Sequence, residues 1–333
     1  YTSINIPYGS MASAVSAGPG DRPSLSTFRT MGATLAGVVI GAGIPLIAYD
    51  TVEGNSVLNG SRFMLIAGVF SIGAVICYLL CYSLTTERVR PEIDPNAPKS
   101  TVSHMLRSIV TNRALVSIIA AAILMLLAQL TLTGMANYVF PNYYSAPDVQ
   151  SLSSLLTMAL TFVIAAVAKP IAVKVGKREM SIIASFISVA GLVGAFIVRP
   201  QNVWVFVAFY MVSYLGIAMF TMFCWALITD VIDYSELKNG VREDGTVYAV
   251  YSFARKLGQA ASSGLTGGLL SLVGYTAATA YDPDVLEGVF NISTLVPAAG
   301  FLLLGLVLLL WYPLDKKTVE ANVIALKKKR GEL

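Results

Sequence analysis

The chain has 333 residues, 56% of them hydrophobic and 13% charged, with a formal net charge of +4. A soluble domain carries about 25% charged residues, so this composition excludes an ordinary globular enzyme and points to a multi-pass membrane protein. The small positive excess is then loop charge on one side of a bilayer rather than a nucleic-acid footprint.

The first residues, Tyr1 to about Ala14, are too few to span the roughly 30 Å hydrocarbon core, which needs about 20 residues. They read as the latter part of a helix, kinked by Pro7 and Gly9. Together with a start at Tyr1 this leads us to expect an N-terminally incomplete sequence, and no transport from it alone. A polar loop with Gly18, Pro19, Asp21, Arg22 and Pro23 follows. Apolar spans are expected at about 28–49, 61–82, 113–139, 151–173, 179–198, 202–230, 246–275 and 290–312, which with the partial first one makes nine helices. The segment 85–112 is charged and proline-rich and reads as a linker between three helices and six. This divides the chain into 1–84, a middle loop 85–112, a six-helix part 113–314 and a basic tail 315–333.

Lysine and arginine set the orientation. With the first helix running towards the cytoplasm, Arg88, Arg90, Arg113, Lys174, Lys177, Arg178, Lys238, Arg242, Lys316 and Lys327–Lys329 all fall on the cytoplasmic side, and Arg62 and Arg199 on the other. The C-terminus is therefore expected in the cytoplasm and the protein in the plasma (inner) membrane. Restoring three helices upstream would give six plus six, the arrangement of major facilitator carriers with a site at the bilayer midplane.

Cys77, Cys81 and Cys224 lie in apolar runs and read as small hydrophobes, and His104 is a lone loop histidine. No metal or hydrolytic constellation is formed. Polar groups inside spans carry more information, because each costs energy unless it is paired or faces a wet cavity. Asn5 and Thr2 share a helix face beside the Pro7–Gly9 break, with Tyr1 one position round. They read either as helix-to-helix hydrogen-bonding groups or as a substrate lining. Arg29 opens the next span, as a snorkelling cap or as a guanidinium that reaches substrate. Lys256 sits about two turns inside its span, one turn after Ser252 and following Tyr251. A lysine at that depth either lines a cavity, meets an acid or snorkels out. Trp225 precedes Asp230 and is either a stacking face for a sugar ring or an interface marker. Asp230, Asp233 and Glu236 recur every third residue, followed by Lys238 and Arg242. They are a solvated stripe or a gate that pairs with the other half of the protein.

At these residues the chain resembles the glycoside–pentoside–hexuronide:cation symporters, a branch of the major facilitator superfamily. The resemblance rests on Tyr1-Thr2-x-x-Asn5-Ile6-Pro7-Tyr8-Gly9, Arg29 before a Gly-Ala-Thr-Leu-Ala run, Asn112-Arg113, Asp230-x-x-Asp233-Tyr234-x-Glu236 with Gly240, Arg242 and Gly245, and Phe253-x-x-Lys256-x-Gly258. It implies an all-α polytopic major facilitator fold with about nine of twelve transmembrane helices present, and no enzymatic activity. It implies that Tyr1, Asn5, Arg29, Trp225, Tyr251, Ser252 and Lys256 line a sugar site. It places Thr2 at a cation site and Asp230, Asp233, Glu236 and Arg242 in a cytoplasmic gate. The Asn-Ile-Pro-Tyr-Gly version, with asparagine where the melibiose branch has aspartate, resembles the glucuronide-carrier branch. An amide still binds hydroxyls but cannot ionise. Two cations, Arg29 and Lys256, suit an anionic hexuronide. The expectation is alternating-access symport of a glycoside with sodium or a proton, by a monomer with no cofactor. A lipid-transporting relative, or a non-transporting sensor or remnant, is the alternative.

Overall fold

The computed structural model describes residues 32–33, 35–37, 39–52, 55–86, 112–239 and 244–329. The chain forms two compact units, Tyr1–Lys99 and Ser100–Leu333, which are taken separately.

In the first unit a π-helical turn, Val39–Gly43, leads into a short helix α1, Ile44–Ala48. An antiparallel hairpin follows, β1 (Tyr49–Val52) and β2 (Asn55–Leu58), with Tyr49 opposite Leu58 and Val52 opposite Asn55. The sequence predicts only a polar break between two spans here, so the hairpin is an addition to the helical fold. Asp50 ties its base to the next helix. It accepts from Asn59 Nδ2 at 2.7 Å and from Arg62 Nη1 at 2.6 Å. Asn59 Oδ1 in turn accepts from the Arg62 amide at 3.1 Å, the side-chain cap that a helix start requires. Helix α2, Gly60–Leu84, is apolar on every side, and none of its residues is buried within its unit. Such a helix has no aqueous face and suits hydrocarbon.

The second unit holds the main bundle. Its helices are α3 (Arg113–Tyr138), α4 (Pro147–Val175), α5 (Lys177–Val198), α6 (Val203–Asn239), α7 (Asp244–Leu272), α8 (Pro283–Leu306) and α9 (Lys316–Lys329). Five-residue π-turns, Val139–Tyr143 and Val307–Trp311, extend α3 and α8. Among the described residues six helices, α2 to α6 and α8, contain stretches long and apolar enough to cross a membrane. Helix α7 occupies the predicted span at 246–275 but is more polar, carrying Ser252, Arg255, Lys256, Gln259, Ser262, Ser263 and Thr266. Helix α6 runs nine residues beyond its predicted end. At about 1.5 Å per residue its 37 residues reach about 55 Å, well beyond a hydrocarbon core of about 30 Å. The basic tail carries a helix, α9.

Helix α3 packs on α7 and α8, α5 packs on α6 and α8, and α4 packs on α6. Lipid provides no hydrophobic drive between helices, so close approach through small residues has to supply the attraction. The seam between α5 and α6 shows how. Ser188 Oγ donates to Ser213 O at 2.8 Å, and Ser213 Oγ donates back to Ser188 O at 3.2 Å. One turn along α5, a Cβ at Gly191 would stand 2.4 Å from Ser213 Oγ, and one at Gly216 would stand 2.0 Å from Ala184 O. Only glycine permits this approach.

Candidate functional site

One cluster of charged groups in the second unit lies at the end of the bundle where α3 and α5 begin and α8 finishes; Arg199, paired with Glu287, lies at the opposite end. Gly176 initiates α5 at φ +113°, a backbone region that side chains rarely enter, and Glu179 lies where its Cβ would be. The turn presents Lys177, Arg178 and Glu179 in succession. Lys177 Nζ donates to Asp230 Oδ1 on α6 at 2.5 Å. The Asp230 side chain is 7% exposed and that of Lys177 is 29% exposed. Charge removed from water this far persists only when it is paired. Asp230 Oδ2 is buried without a hydrogen-bond partner among the described residues.

Two arginines close the end of α8. Arg178 donates to Leu308 O at 3.0 Å and Leu309 O at 2.8 Å. Arg113 donates to Leu310 O at 3.1 Å and Trp311 O at 3.0 Å. Four successive carbonyls that a helix end leaves without partners are satisfied by two guanidinium forks, and the cations meet the negative end of the helix dipole. Tyr312 Oη donates to Leu227 O at 3.2 Å, which anchors the end of α8 to α6. Asp315 then accepts the Thr318 amide at 2.8 Å, as the first-turn cap of α9. Hydrogen bonds from the Thr318 side chain and backbone hold the Asp315 carboxyl below the usual carboxylate range. Lys316 Nζ donates to Lys174 O at 3.1 Å, linking α9 to the last turn of α4.

The acidic stripe therefore begins with a residue held inside its own unit. Asp233 and Glu236 follow at half-buried positions on α6, and both have interaction partners. Arg242 lies outside the described residues, as do Tyr1, Thr2, Asn5 and Arg29. Trp225 stands on α6, with its side chain outside the description.

On α7 the predicted residues separate. Tyr251 is 3% exposed and its hydroxyl lies 2.9 Å from Cys224 Sγ on α6. The Arg255 guanidinium is 5.9 Å from the Tyr251 ring centroid, within reach of a cation–π attraction. Ser252 is half-buried and Lys256 is exposed on its unit, donating to Gln259 Oε1 at 2.9 Å. Five positions along a helix turn a side chain by about 140°, so Tyr251 meets α6 while Lys256 looks outward. Of the three cysteines, Cys224 is buried as expected, Cys81 is intermediate and Cys77 is exposed on its unit.

Sequence reasoning missed Lys177 as the partner of Asp230, and Arg113, Arg178 and Tyr312 as the fastening of α8. The available signal was their common side. All the basic residues among them fall on the face assigned to the cytoplasm, the same face as the end of the acidic helix.

A family model described as MFS/sugar transport protein matches residues 1–316. An uncharacterized symporter of Bacillus subtilis is 29% identical, over 91% of this chain and 64% of its own length. A glucuronide carrier protein homolog of Escherichia coli is 28% identical over 99% of this chain and 71% of its own. An isoprimeverose transporter of Lactiplantibacillus pentosus is 28% identical over 98% of this chain and 67% of its own. The chain thus spans about two thirds of the length of these relatives.

Proposed function

Because the chain belongs to the MFS/sugar transport protein family, whose members are multi-pass membrane transporters rather than enzymes, we propose that it acts as a secondary carrier of a glycoside. Transport proceeds by alternating access, driven by symport of sodium or a proton. It forms and breaks no covalent bond. The observation that carries this reading is the polar set on α6 and α7 within an apolar bundle: a charged end at Asp230, Asp233 and Glu236, and Ser252 and Lys256 on one face of α7. A purely structural bundle has no need of a lysine at that depth.

In this reading Lys256, Ser252, Tyr251, Trp225, Tyr1, Asn5 and Arg29 line the sugar site, and Thr2 belongs to the cation site. Asp230, Asp233, Glu236 and Arg242 form the cytoplasmic gate. The protein works as a monomer in the inner membrane, with its C-terminus in the cytoplasm. Relatives named for a glucuronide and for isoprimeverose support a glycoside as cargo. Two cationic side chains, Arg29 and Lys256, favour an anionic hexuronide among glycosides. A lipid cargo would favour an apolar lining instead.

The test is accumulation of labelled glucuronide, with isoprimeverose as the neutral comparison, in proteoliposomes holding the protein with the upstream helices expected above, under an imposed sodium or proton gradient. Accumulation that collapses with the gradient is expected, strongest for the glucuronide. No gradient-driven accumulation of either glycoside overturns the reading. Preference for the neutral sugar overturns only the hexuronide assignment.

A further inference from the structure

Helix α9 has two unlike faces. Val319 packs on the core and Leu326 is 4% exposed, so one face is docked, with α6 as its principal support. The opposite face presents Lys317, Ala321, Ile324 and Lys328, all exposed, with Ile324 at 59%. These positions fall at i, i+4, i+7 and i+11, a single helical stripe with a lysine at each end and an apolar centre. In all α9 carries five lysines and one glutamate.

Its place in the chain says what this stripe meets. Four residues separate Trp311, the end of the α8 span, from Lys316. Even fully extended they reach only about 14 Å, and Tyr312 is tied to Leu227 O. The helix therefore starts within the headgroup region. Leu309, Leu310 and Trp311, just before it, are exposed at 46%, 70% and 40%, as residues facing lipid and its interface would be.

We propose that α9 is an interfacial helix whose outward stripe binds acidic phospholipid headgroups, with Ile324 entering the acyl boundary and Lys317 and Lys328 reaching phosphates on either side. A polybasic amphipathic helix at the end of a span has the charge and the apolar centre that such a surface attracts. The inference needs only the membrane embedding of the chain, not a cargo.

Hydrogen–deuterium exchange of residues 316–329 tests it. The full chain is placed in nanodiscs of phosphatidylcholine, or of an equal mixture with phosphatidylglycerol. Exchange slowed about thirtyfold by the acidic lipid is expected, from two lysines near a charged surface. High salt and the double variant K317Q/K328Q should each abolish the slowing, while the unfolding midpoint of the bundle stays the same. Equal exchange in both nanodiscs overturns the proposal. So does slowing that survives K317Q/K328Q. Slowing that instead follows protein concentration in detergent identifies a second copy as the occupant, and overturns it as well.

Discussion

Lys177 and Asp230, on the facing helices α5 and α6 and 53 positions apart, form an ion pair at 2.5 Å whose acidic member is almost wholly buried. It lies beside the arginine-capped end of α8, so the start of α5 and the end of α8 are both fastened next to α6.

Breaking this pair from the basic side leaves a buried carboxylate without its cation. Complete burial would make that loss about 3–5 kcal/mol. Lys177 retains partial exposure, so we expect Lys177→Ala to lower stability by about 2 kcal/mol. Neutralising both residues in K177A/D230N should recover most of it. Urea unfolding in detergent gives the values, and a double variant no more stable than K177A would mean that the pair is not the source.

The gate assignment makes a kinetic prediction. Asp233→Ala should leave sugar binding intact and slow turnover, since few exposed-pair contributions of about 0–1 kcal/mol suffice to tip a two-state equilibrium. Binding is measured by calorimetry and turnover by counterflow. Unchanged turnover returns Asp233 to the role of a solvated residue.

Lys256 is exposed on its unit, so Lys256→Ala should preserve the unfolding midpoint while abolishing uptake. Uptake at the parental level, with the protein folded, would remove Lys256 from the sugar site.

The close seam between α5 and α6 predicts a contrast between two glycines. Gly216→Ala places a methyl against Ala184 O and should cost about 1–3 kcal/mol by forcing the helices apart. Gly264→Ala meets open space on α7 and should stabilise by up to about 1 kcal/mol. Equal effects at the two sites would show that helix propensity, and not close approach, governs Gly216.

Asp315 supplies a pH dependence. Its folded carboxyl titrates below the unfolded value of about 3.9, so the cap contributes fully above that value. The contribution falls as pH drops through the lowered folded value. Exchange at the first turn of α9 should therefore rise selectively on acidification below about pH 4, once the intrinsic pH dependence of exchange is removed. In Asp315→Asn, which keeps an acceptor but cannot titrate, this selective rise should vanish.

Much of the molecule is legible along the chain. Runs of apolar residues mark the spans, since hydropathy is a local property and about 20 residues suffice to cross a bilayer. Gly176, Pro147 and Pro283 stand at or next to helix starts, where turn chemistry puts them. The pairing of 49–52 with 55–58 is not legible in the sequence, because two four-residue strands are too short for alternation to stand out against neighbouring spans. Helix α9 escaped because five lysines made the tail read as charge alone.

The sequence by itself determined that this is a helical membrane protein, where the six candidate spans among the described residues lie, which charges are unusual for their depth, and to which family they point. These follow from burial costs that act residue by residue. Only the tertiary structure decided that Lys177 is the partner of Asp230, that Arg113 and Arg178 close α8, that Gly216 admits Ala184, and that Tyr251 and Lys256 face different ways. Each depends on which helices become neighbours, and neighbours are chosen by packing across tens of residues rather than by any local pattern.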